Sequence, residues 1–213
     1  LAQSQTDFEL MVVCDGAPKE TAACARSYGE RDARVRTFDF TKGERNGEAH
    51  RHTVLLEASG VFVAQIADDD IWFPDHLTET ETLLAAADFG HVIHTAAHRD
   101  GSVTALACDL SNPAVRRRLI NDKYNGFGPT FCANRLDAYR RLPEGWAPAP
   151  ANVWSDLYMW RKFLRRADMT FNSRAVVTAV HLPAVERRDM SLVERAAENE
   201  LWFRRISDPN ERK

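Results

Sequence analysis

A short apolar run that stops at three consecutive aspartates limits how this chain can fold. Residues Val61–Ala67 are β-branched, aromatic or otherwise apolar with one polar exception, which is typical of a strand covered on both faces. Asp68, Asp69 and Asp70 follow without a spacer. Because adjacent carboxylates repel one another, they favour a divalent cation or strong hydrogen-bond donors nearby. Aspartate is also a common turn residue, so a solvated acidic turn is the alternative.

Strands and helices alternate along the rest of the chain. A second apolar run, Phe8–Cys14, is closed by Asp15 and a glycine, and Pro74 opens a helix soon after the acidic run. This alternation predicts an α/β layered domain, in which ligands collect at the carboxyl ends of the strands. We therefore expect Asp68 and Asp69 to follow an interior parallel strand, with Asp15 ending a strand of the same sheet.

The overall charge, the cysteines and the apolar runs indicate which partners and which compartment to expect. The chain of 213 residues has 28 basic and 31 acidic side chains, a net charge of −3, which offers no field for non-specific binding of nucleic acid. Four cysteines without a C-x-x-C pair favour a reducing compartment. No stretch approaches the ~18 consecutive apolar residues of a membrane-spanning helix. We expect a cytoplasmic protein with no nucleic-acid partner and no transmembrane segment.

Two stretches of the chain resemble family 2 glycosyltransferases. Val61–Leu77, in which the acidic run continues as Ile-Trp-Phe-Pro-Asp-His-Leu, is similar to the D-x-D region of that family, and Phe8–Gly16 is similar to its second strand with an Asp-Gly turn. The resemblance implies a GT-A fold, a Rossmann-like α/β fold with a mixed, mostly parallel sheet flanked by helices. It also implies inverting transfer of a sugar from a UDP-, GDP- or dTDP-sugar to a glycan, lipid-linked or small-molecule acceptor, as in polysaccharide biosynthesis, with Mg²⁺ or Mn²⁺ as the metal.

The resemblance assigns roles to residues that would bind the donor. Asp69 is the expected direct metal ligand, Asp70 a further ligand, and Asp68 a ribose contact. Asp15 is expected to accept a hydrogen bond from the nucleobase imide, and Arg51 to approach the base or the diphosphate. Judged alone, Asp15 could be only a turn residue and Arg51 only an exposed arginine.

Later residues add to this implied donor site. His181 closes an apolar run and is similar to a histidine that contacts metal or diphosphate in several GT-A enzymes, although a lone histidine at a strand end is more often structural. Arg187 and its neighbour Arg188 could clamp a diphosphate bidentately, or simply be solvated. Aromatic side chains that suit stacking on a sugar, with core packing as the alternative, are Phe127, Trp146 and Trp154.

One carboxylate is the candidate catalytic base. An inverting transfer needs a carboxylate near the acceptor hydroxyl, because a side chain must take the proton as the hydroxyl attacks. Asp156 opens an amphipathic helix and resembles the aspartate of the family's Glu-Asp motif, with Ser155 in place of the glutamate. Because acceptor side chains are favoured at helix starts, capping is the alternative role of both residues.

The domain organisation follows from the same resemblance. We expect a GT-A-like domain over residues 1–185 and a helical extension over residues 186–213. Family members place roughly 25–30 residues, including a first strand, before a segment like Leu1–Gln5, so we expect a gap or abnormal pairing between the strands that end at Asp15 and Asp68. Two rival functions stay open: a non-catalytic nucleotide-sugar-binding module, and a metal-dependent nucleotidyltransferase, which normally needs a Gly-rich phosphate loop with a lysine.

Overall fold

The structure, a computed structural model, describes residues 1–211 and falls into two compact units. The first unit comprises residues 6–61 and 136–167. The second unit comprises residues 1–5, residues 62–135 and the described chain from Asp168 on. Each unit is therefore assembled from separate stretches of the sequence.

Helices and strands alternate through the described residues, and the predicted mixed α/β class is confirmed. The strands are β1 (Leu10–Asp15), β2 (Val35–Phe40), β3 (Phe62–Ala64), β4 (Asp70–Trp72), β5 (Phe89–Val92), β6 (His94–Ala97), β7 (Val103–Leu106), β8 (Cys132–Arg135), β9 (Phe171–Arg174) and β10 (Ala179–His181). The helices are α1 (Lys19–Gly29), α2 (Glu48–Leu56), α3 (His76–Leu84), α4 (Pro113–Asn121), α5 (Leu136–Arg140), α6 (Ser155–Leu164) and α7 (Leu192–Ser207), with 3₁₀ turns at Pro129–Phe131 and Ala184–Arg187.

In the first unit, a parallel pair of strands carries Asp15 at its end. β1 pairs with β2 in a register that aligns Leu10 with Val35 and Asp15 with Phe40. α1 contacts β2, and α2 contacts β1. α2 begins after Gly47, whose φ of 70° lies in the left-handed region that glycine adopts at little cost. The chain can therefore turn sharply between the polar loop after β2 and the start of α2.

α6 anchors the segment that carries Asp156. Its apolar side chains recur at helical spacing, and Leu157, Trp160, Phe163 and Leu164 are all buried. Burying each large side chain of this kind stabilises the fold by roughly 1.5–3 kcal/mol. Asp156 thus lies in the first turn of a helix that is firmly fixed by its apolar face.

The second unit contains two four-stranded sheets, with strand orders β3-β8-β5-β9 and β4-β10-β6-β7. Over both units, three ladders are parallel (β1–β2, β5–β9 and β6–β10) and four are antiparallel (β3–β8, β5–β8, β4–β10 and β6–β7). The sheets are mixed, as predicted, but antiparallel pairing has a larger share than predicted. One reason is the short connection between β6 and β7, since a tight turn can join only antiparallel strands.

Helices cover both sheets of the second unit. On the first sheet, α3 packs against β3 and β8 through a small apolar cluster formed by Leu83, Leu84, Ala133, Phe62 and Ala64. On the second sheet, α7 places Trp202 against a cluster formed by Ala97, Val180, Leu182, Ile71 and Phe73. Strand β10, which ends at His181, is therefore buried between its neighbours and the helix layer.

The strand before the acidic run differs from the prediction. β3 is an edge strand that pairs antiparallel with β8, so it is not an interior parallel strand. Val61 is 67% exposed, so the apolar run is not covered on both faces. After Ala64 the chain leaves the ladder, and the Asp70 N–H donates to the Ala67 carbonyl at 3.2 Å. The acidic residues consequently form a turn that leads directly into β4.

The strands that end at Asp15 and precede Asp68 belong to different sheets. β1 pairs with β2 and β3 pairs with β8 in the described part of the chain. The prediction that both strands share one sheet is therefore not met, and the gap expected from a missing first strand stays a prediction.

The segment predicted as a helical extension, 186–213, contains the end of a 3₁₀ turn and α7. Its described part belongs to the second unit, and its last two residues lie outside the described residues. The proposed boundary at residue 185 stays a prediction. None of the described helices has the length and apolarity that a membrane crossing requires.

Candidate functional site

The second unit brings three of the predicted site residues together. Asp69, Asp70 and His181 each offer a ligand atom, and these atoms all lie within 4.8 Å of one another. Asp70 and His181 are register partners in the β4–β10 ladder, and His181 Nδ1 lies 2.6 Å from Asp70 Oδ1. Asp69, in the turn before β4, joins Asp70 and His181 on adjacent strands in a compact group of metal-ligating atoms. Asp68 is exposed and is not part of this group.

A buried threonine orients the Asp70 carboxylate. Thr130 is 1% exposed, and its hydroxyl accepts a hydrogen bond from the Ala67 N–H at 3.1 Å. The same hydroxyl contacts Asp70 Oδ2, so its single proton is donated to the carboxylate. Trp72 Nε1 donates to the Thr130 carbonyl at 2.9 Å, which fixes the backbone on which the threonine sits. Thr130 therefore holds both the turn before the acidic run and one ligand of the cluster.

Sequence reasoning missed Thr130. It lies 60 positions from Asp70, in the 3₁₀ turn Pro129–Phe131 that precedes β8. A threonine after a Gly-Pro turn carries no local mark of a distant carboxylate partner, so only the tertiary pairing identifies it.

The electrostatics of the cluster favour a cation. Burial raises the pKa of Asp69, and the negative charges of Asp70 and Asp68 raise it further. The hydrogen bond to Asp70 raises the pKa of His181 above its ordinary value. Both shifts favour the protonated forms, and a bound cation would likewise offset the negative charge gathered at this point. Oxygen and imidazole ligands at these distances fit Mg²⁺ or Mn²⁺.

In the first unit, the Asp15 carboxylate organises the loop before α2. Its Oδ1 accepts a hydrogen bond from the Gly43 N–H at 2.6 Å, and its Oδ2 accepts one from Lys42 Nζ. His50 Nε2 lies 3.5 Å from Oδ1. The hydrogen bond from Lys42 is the main cause of the lowered pKa of Asp15. A carboxylate has about four lone-pair positions, so these contacts leave room for one further donor.

Arg51 lies among three carboxylates of the first unit. Its guanidinium donates to the Asn46 carbonyl at 3.1 Å. Burial lowers the pKa of Arg51, while the charges of Glu48, Asp15 and Asp156 oppose that shift. Three predicted residues, Asp15, Arg51 and Asp156, are therefore electrostatically coupled, and Glu48 is an additional carboxylate that the sequence did not single out.

Asp156 is half-buried in the first turn of α6. Its Oδ1 accepts a hydrogen bond from the Leu157 N–H at 2.7 Å, one of the helix N–H groups that lack an intrahelical acceptor. The helix starts at Ser155 after Trp154, which makes no side-chain capping bond. Asp156 thus binds a helix N–H at the start of α6, as the capping alternative expects.

Arg187 does not have the surroundings predicted for a diphosphate clamp. It is 1% exposed and donates to both carboxylate oxygens of Glu198 at 2.6 Å, and to the Ala97 carbonyl at 3.1 Å. The hydrogen bonds to Glu198 raise its pKa. A buried guanidinium with these protein partners is a structural ion pair that fastens α7 to the second sheet, and we leave it out of the site.

Two of the three aromatic candidates for sugar stacking are buried instead. Phe127 and Trp146 are each 2% exposed, and Phe127 stacks on His91 with ring centroids 4.1 Å apart. Trp154, in contrast, is 48% exposed. Core packing, the alternative reading of these aromatic residues, therefore describes Phe127 and Trp146.

The mixed sheets with flanking helices are those of an α/β protein with a GT-A architecture. The profile of glycosyl transferase family 2 matches residues 1–142. The chain belongs to glycosyl transferase family 2.

Two solved structures have a fold similar to that of this chain. The mannosyltransferase PcManGT from Pyrobaculum calidifontis, solved with GDP-Man and Mn²⁺, is similar with a TM-score of 0.58 and 18% identity over 94% of this chain and 57% of that one. TarS 1–349 from S. aureus, solved with UDP, is similar with a TM-score of 0.61 and 15% identity over 91% of this chain and 61% of that one. At these identities the likeness concerns the fold.

A sequence relative covers a smaller part. The uncharacterized glycosyltransferase EpsJ of Bacillus subtilis (strain 168) is 31% identical over 70 residues, which is 33% of this chain and 20% of EpsJ. The chain thus spans only part of the length of the proteins that it matches.

Proposed function

We propose that this chain is a metal-dependent, inverting glycosyltransferase that uses a UDP-, GDP- or dTDP-sugar. The observation that carries the proposal is the cluster of Asp69, Asp70 and His181 in a chain of glycosyl transferase family 2. The complexes of similar fold with GDP-Man and Mn²⁺, and with UDP, support the choice of ligand class. A glycan, lipid-linked or small-molecule hydroxyl would be the acceptor.

The metal-binding role falls to the cluster in the second unit. Asp69, Asp70 and His181 would hold Mg²⁺ or Mn²⁺, and the protonated form of His181 would release its proton on binding. When bound, the cation neutralises charge on the diphosphate leaving group. Asp68, exposed beside the cluster, is assigned to the ribose.

The remaining donor contacts are assigned to the first unit. Asp15 would accept a hydrogen bond from the nucleobase through its free lone pairs. Arg51 would donate to the diphosphate, because a guanidinium has five N–H donors and only one is engaged with Asn46.

Asp156 is assigned the role of general base. The acceptor oxygen attacks the anomeric carbon and forms the new glycosidic bond, while the bond between that carbon and the diphosphate oxygen breaks. The acceptor proton passes to the Asp156 carboxylate, and the nucleoside diphosphate leaves with the bonding electron pair. Base catalysis of this kind contributes about 10²–10⁴-fold to the rate.

The proposal is tested by two variants that should fail in different ways. Isothermal titration with UDP, GDP and dTDP, with MnCl₂ or with EDTA, measures binding, and a panel of the corresponding sugar nucleotides measures turnover. Asp69→Asn should weaken Mn²⁺-dependent nucleotide binding by ~100-fold or more, because even changes beyond the metal ligands cost 10–100-fold. Asp156→Asn should bind within about twofold of the unmodified protein and lose ~10²–10⁴-fold in turnover.

A matched acidic control is available in the second unit. Asp100 lies in the turn between β6 and β7, where its carboxylate accepts hydrogen bonds from Ser102. Asp100→Asn should leave Mn²⁺-dependent binding and turnover unchanged. Absence of metal-dependent binding of any of the three nucleotides to the unmodified protein would refute the proposed function, and full turnover in Asp156→Asn would refute its catalytic base.

A further inference from the structure

The indole of Trp146 forms a platform under the Arg51 guanidinium. The guanidinium carbon lies 4.9 Å from the centroid of the Trp146 ring, within the range of a cation–π contact. Trp146 is 2% exposed, so the contact is screened from water on the indole side. The ring also contacts the buried Trp160 in an edge-on arrangement, with ring centroids 5.7 Å apart. The indole that carries the arginine is therefore packed in the core.

A chain of hydrogen bonds fixes the backbone of this tryptophan. The backbone N–H of Trp146 donates to the Tyr139 hydroxyl at 2.9 Å, and His52 Nδ1 lies 2.8 Å from the same hydroxyl oxygen. The Tyr139 hydroxyl therefore bridges the Trp146 backbone and the His52 ring. His52 follows Arg51 on α2, so the network returns to the helix that carries the arginine.

The residue before the tryptophan fits tightly into this network. A Cβ at Gly145 would collide with the Tyr139 hydroxyl and with His52 Nδ1, so the backbone approaches as closely as only glycine allows. Lys162 Nζ donates to the Gly145 carbonyl at 2.6 Å. The loop is thus held by side chains of α5, α2 and α6 at once.

A fixed platform matters because Arg51 has competing partners. Glu48, Asp15 and Asp156 all attract its positive charge. An arginine side chain has several flexible torsions, so without a constraint it would sample contacts with each carboxylate. The Asn46 carbonyl and the Trp146 ring define one orientation for the guanidinium.

We propose that Trp146 is a positioning residue for Arg51, and that the Tyr139 hydroxyl holds Trp146 in place so that the guanidinium is preset to meet an anionic oxygen of the nucleotide. This inference rests on the proposed function, in which Arg51 contacts the donor. Trp146 itself touches no ligand, because its ring is buried beneath the arginine.

The test is a double-mutant cycle read out as nucleotide affinity. The dissociation constants of UDP, GDP and dTDP with MnCl₂ are measured for the unmodified protein, for Trp146→Leu, for Arg51→Ala and for the double variant. Trp146→Leu should weaken binding about threefold to tenfold, the range of a partly desolvated cation–π contact. In the Arg51→Ala background the same change should weaken binding less than about twofold, because its effect is transmitted through the arginine.

Conservative changes and a buried aromatic residue outside the network separate positioning from stability. Trp146→Phe keeps an aromatic face and should recover most of the lost affinity. Tyr139→Phe removes the acceptor of the Trp146 backbone N–H and should weaken nucleotide binding in the same direction as Trp146→Leu. Phe89, which is 0% exposed in β5 of the second unit, provides the control: Phe89→Leu should lower the melting temperature without changing the dissociation constant.

The outcomes distinguish this inference from the proposed function. If Arg51→Ala leaves nucleotide affinity unchanged, or if no nucleotide binds, the assigned role of Arg51 fails and the inference fails with it. If Arg51→Ala weakens binding but Trp146→Leu weakens it equally in both backgrounds, the proposed function stands and the positioning role is refuted. Equal losses of affinity in Trp146→Leu and Phe89→Leu would likewise show a general packing effect and refute the positioning role.

Discussion

Replacing Thr130 by valine tests how the acidic cluster is held in shape. Valine has nearly the same volume, so the cavity stays filled while the hydroxyl is lost. Two hydrogen bonds disappear: the one that Thr130 donates to Asp70, and the one that it accepts from the Ala67 N–H at 3.1 Å. A hydrogen bond to a charged group contributes about 1.5–3 kcal/mol, and an orphaned buried N–H adds a further cost. We expect the free energy of unfolding to fall by about 2–4 kcal/mol.

The same change should weaken metal binding. Asp70 keeps its contact with His181 through Oδ1, but its Oδ2 loses the donor that sets the plane of the carboxylate. Loss of such a supporting hydrogen bond typically costs 10–100-fold in metal affinity, or about 1.4–2.7 kcal/mol. Titration with MnCl₂ at a temperature at which the variant is fully folded measures this loss directly.

Two controls make the result specific. Thr130→Ser keeps the hydroxyl and should retain Mn²⁺ affinity within about threefold, which lies outside the expected 10–100-fold loss. Thr82→Val removes an exposed threonine hydroxyl that donates only to the Thr78 carbonyl of its own helix, so Mn²⁺ affinity should not change. If folded Thr130→Val binds Mn²⁺ as tightly as the unmodified protein, the hydroxyl supports only the fold and our account of Asp70 is wrong.

Three further predictions concern stability. Burial lowers the pKa of His76 from 6.5 to about 3, so below pH ~6.5 the unfolded chain takes up a proton that the native state does not. The free energy of unfolding should therefore fall by up to ~1.4 kcal/mol per pH unit as the pH drops below ~6.5. In His76→Leu, the free energy of unfolding measured by urea denaturation should depend less on pH between pH 7 and pH 5. Arg187→Met leaves the partly exposed Glu198 without its buried partner and should cost about 3 kcal/mol of unfolding free energy, the low end for a broken buried pair, while sparing nucleotide affinity; a folded variant with weakened nucleotide binding would restore Arg187 as a clamp. Gly47→Ala would place a Cβ 2.6 Å from the Asp15 carboxylate at a φ of 70°, so the free energy of unfolding should fall by about 1–2 kcal/mol. An unchanged melting temperature would show that alanine fits this position without strain.

The sequence predicted much of the cluster because its parts lie in recognisable local contexts. An apolar run followed by an acidic turn and a proline-led helix is a local pattern, and it led to Asp69 and Asp70. His181 is 111 positions from Asp70, and neither spacing nor periodicity joins the two; the family resemblance did. Their union depends on an antiparallel pairing between two three-residue strands, which is too short to predict from alternation.

The predicted roles of Arg187 and Trp146 differ from what the structure shows, because the same type of side chain suits both a ligand and the protein interior. Arginine can bind a diphosphate and can also pair with a carboxylate of the protein, and Arg187 pairs with Glu198, eleven positions further along the chain. Tryptophan suits a sugar face and also a core, and the choice for Trp146 was made by the Tyr139 hydroxyl and the arginine above the ring. Such choices depend on tertiary partners, which composition and periodicity do not specify.

The register between β4 and β10 would couple metal binding to the pairing of these two strands. This ladder has only three residue pairs, and its last pair is Asp70 with His181. An ion shared by those two side chains would bridge the strands at the point where so short a ladder would otherwise open most easily. Opening would then require the ion to leave, and by mass action a site loaded to 100 times its dissociation constant resists opening by an additional ~2.7 kcal/mol. Removing the ion with a chelator should therefore first open the end of this ladder, which would become accessible to a protease or to hydrogen exchange with solvent.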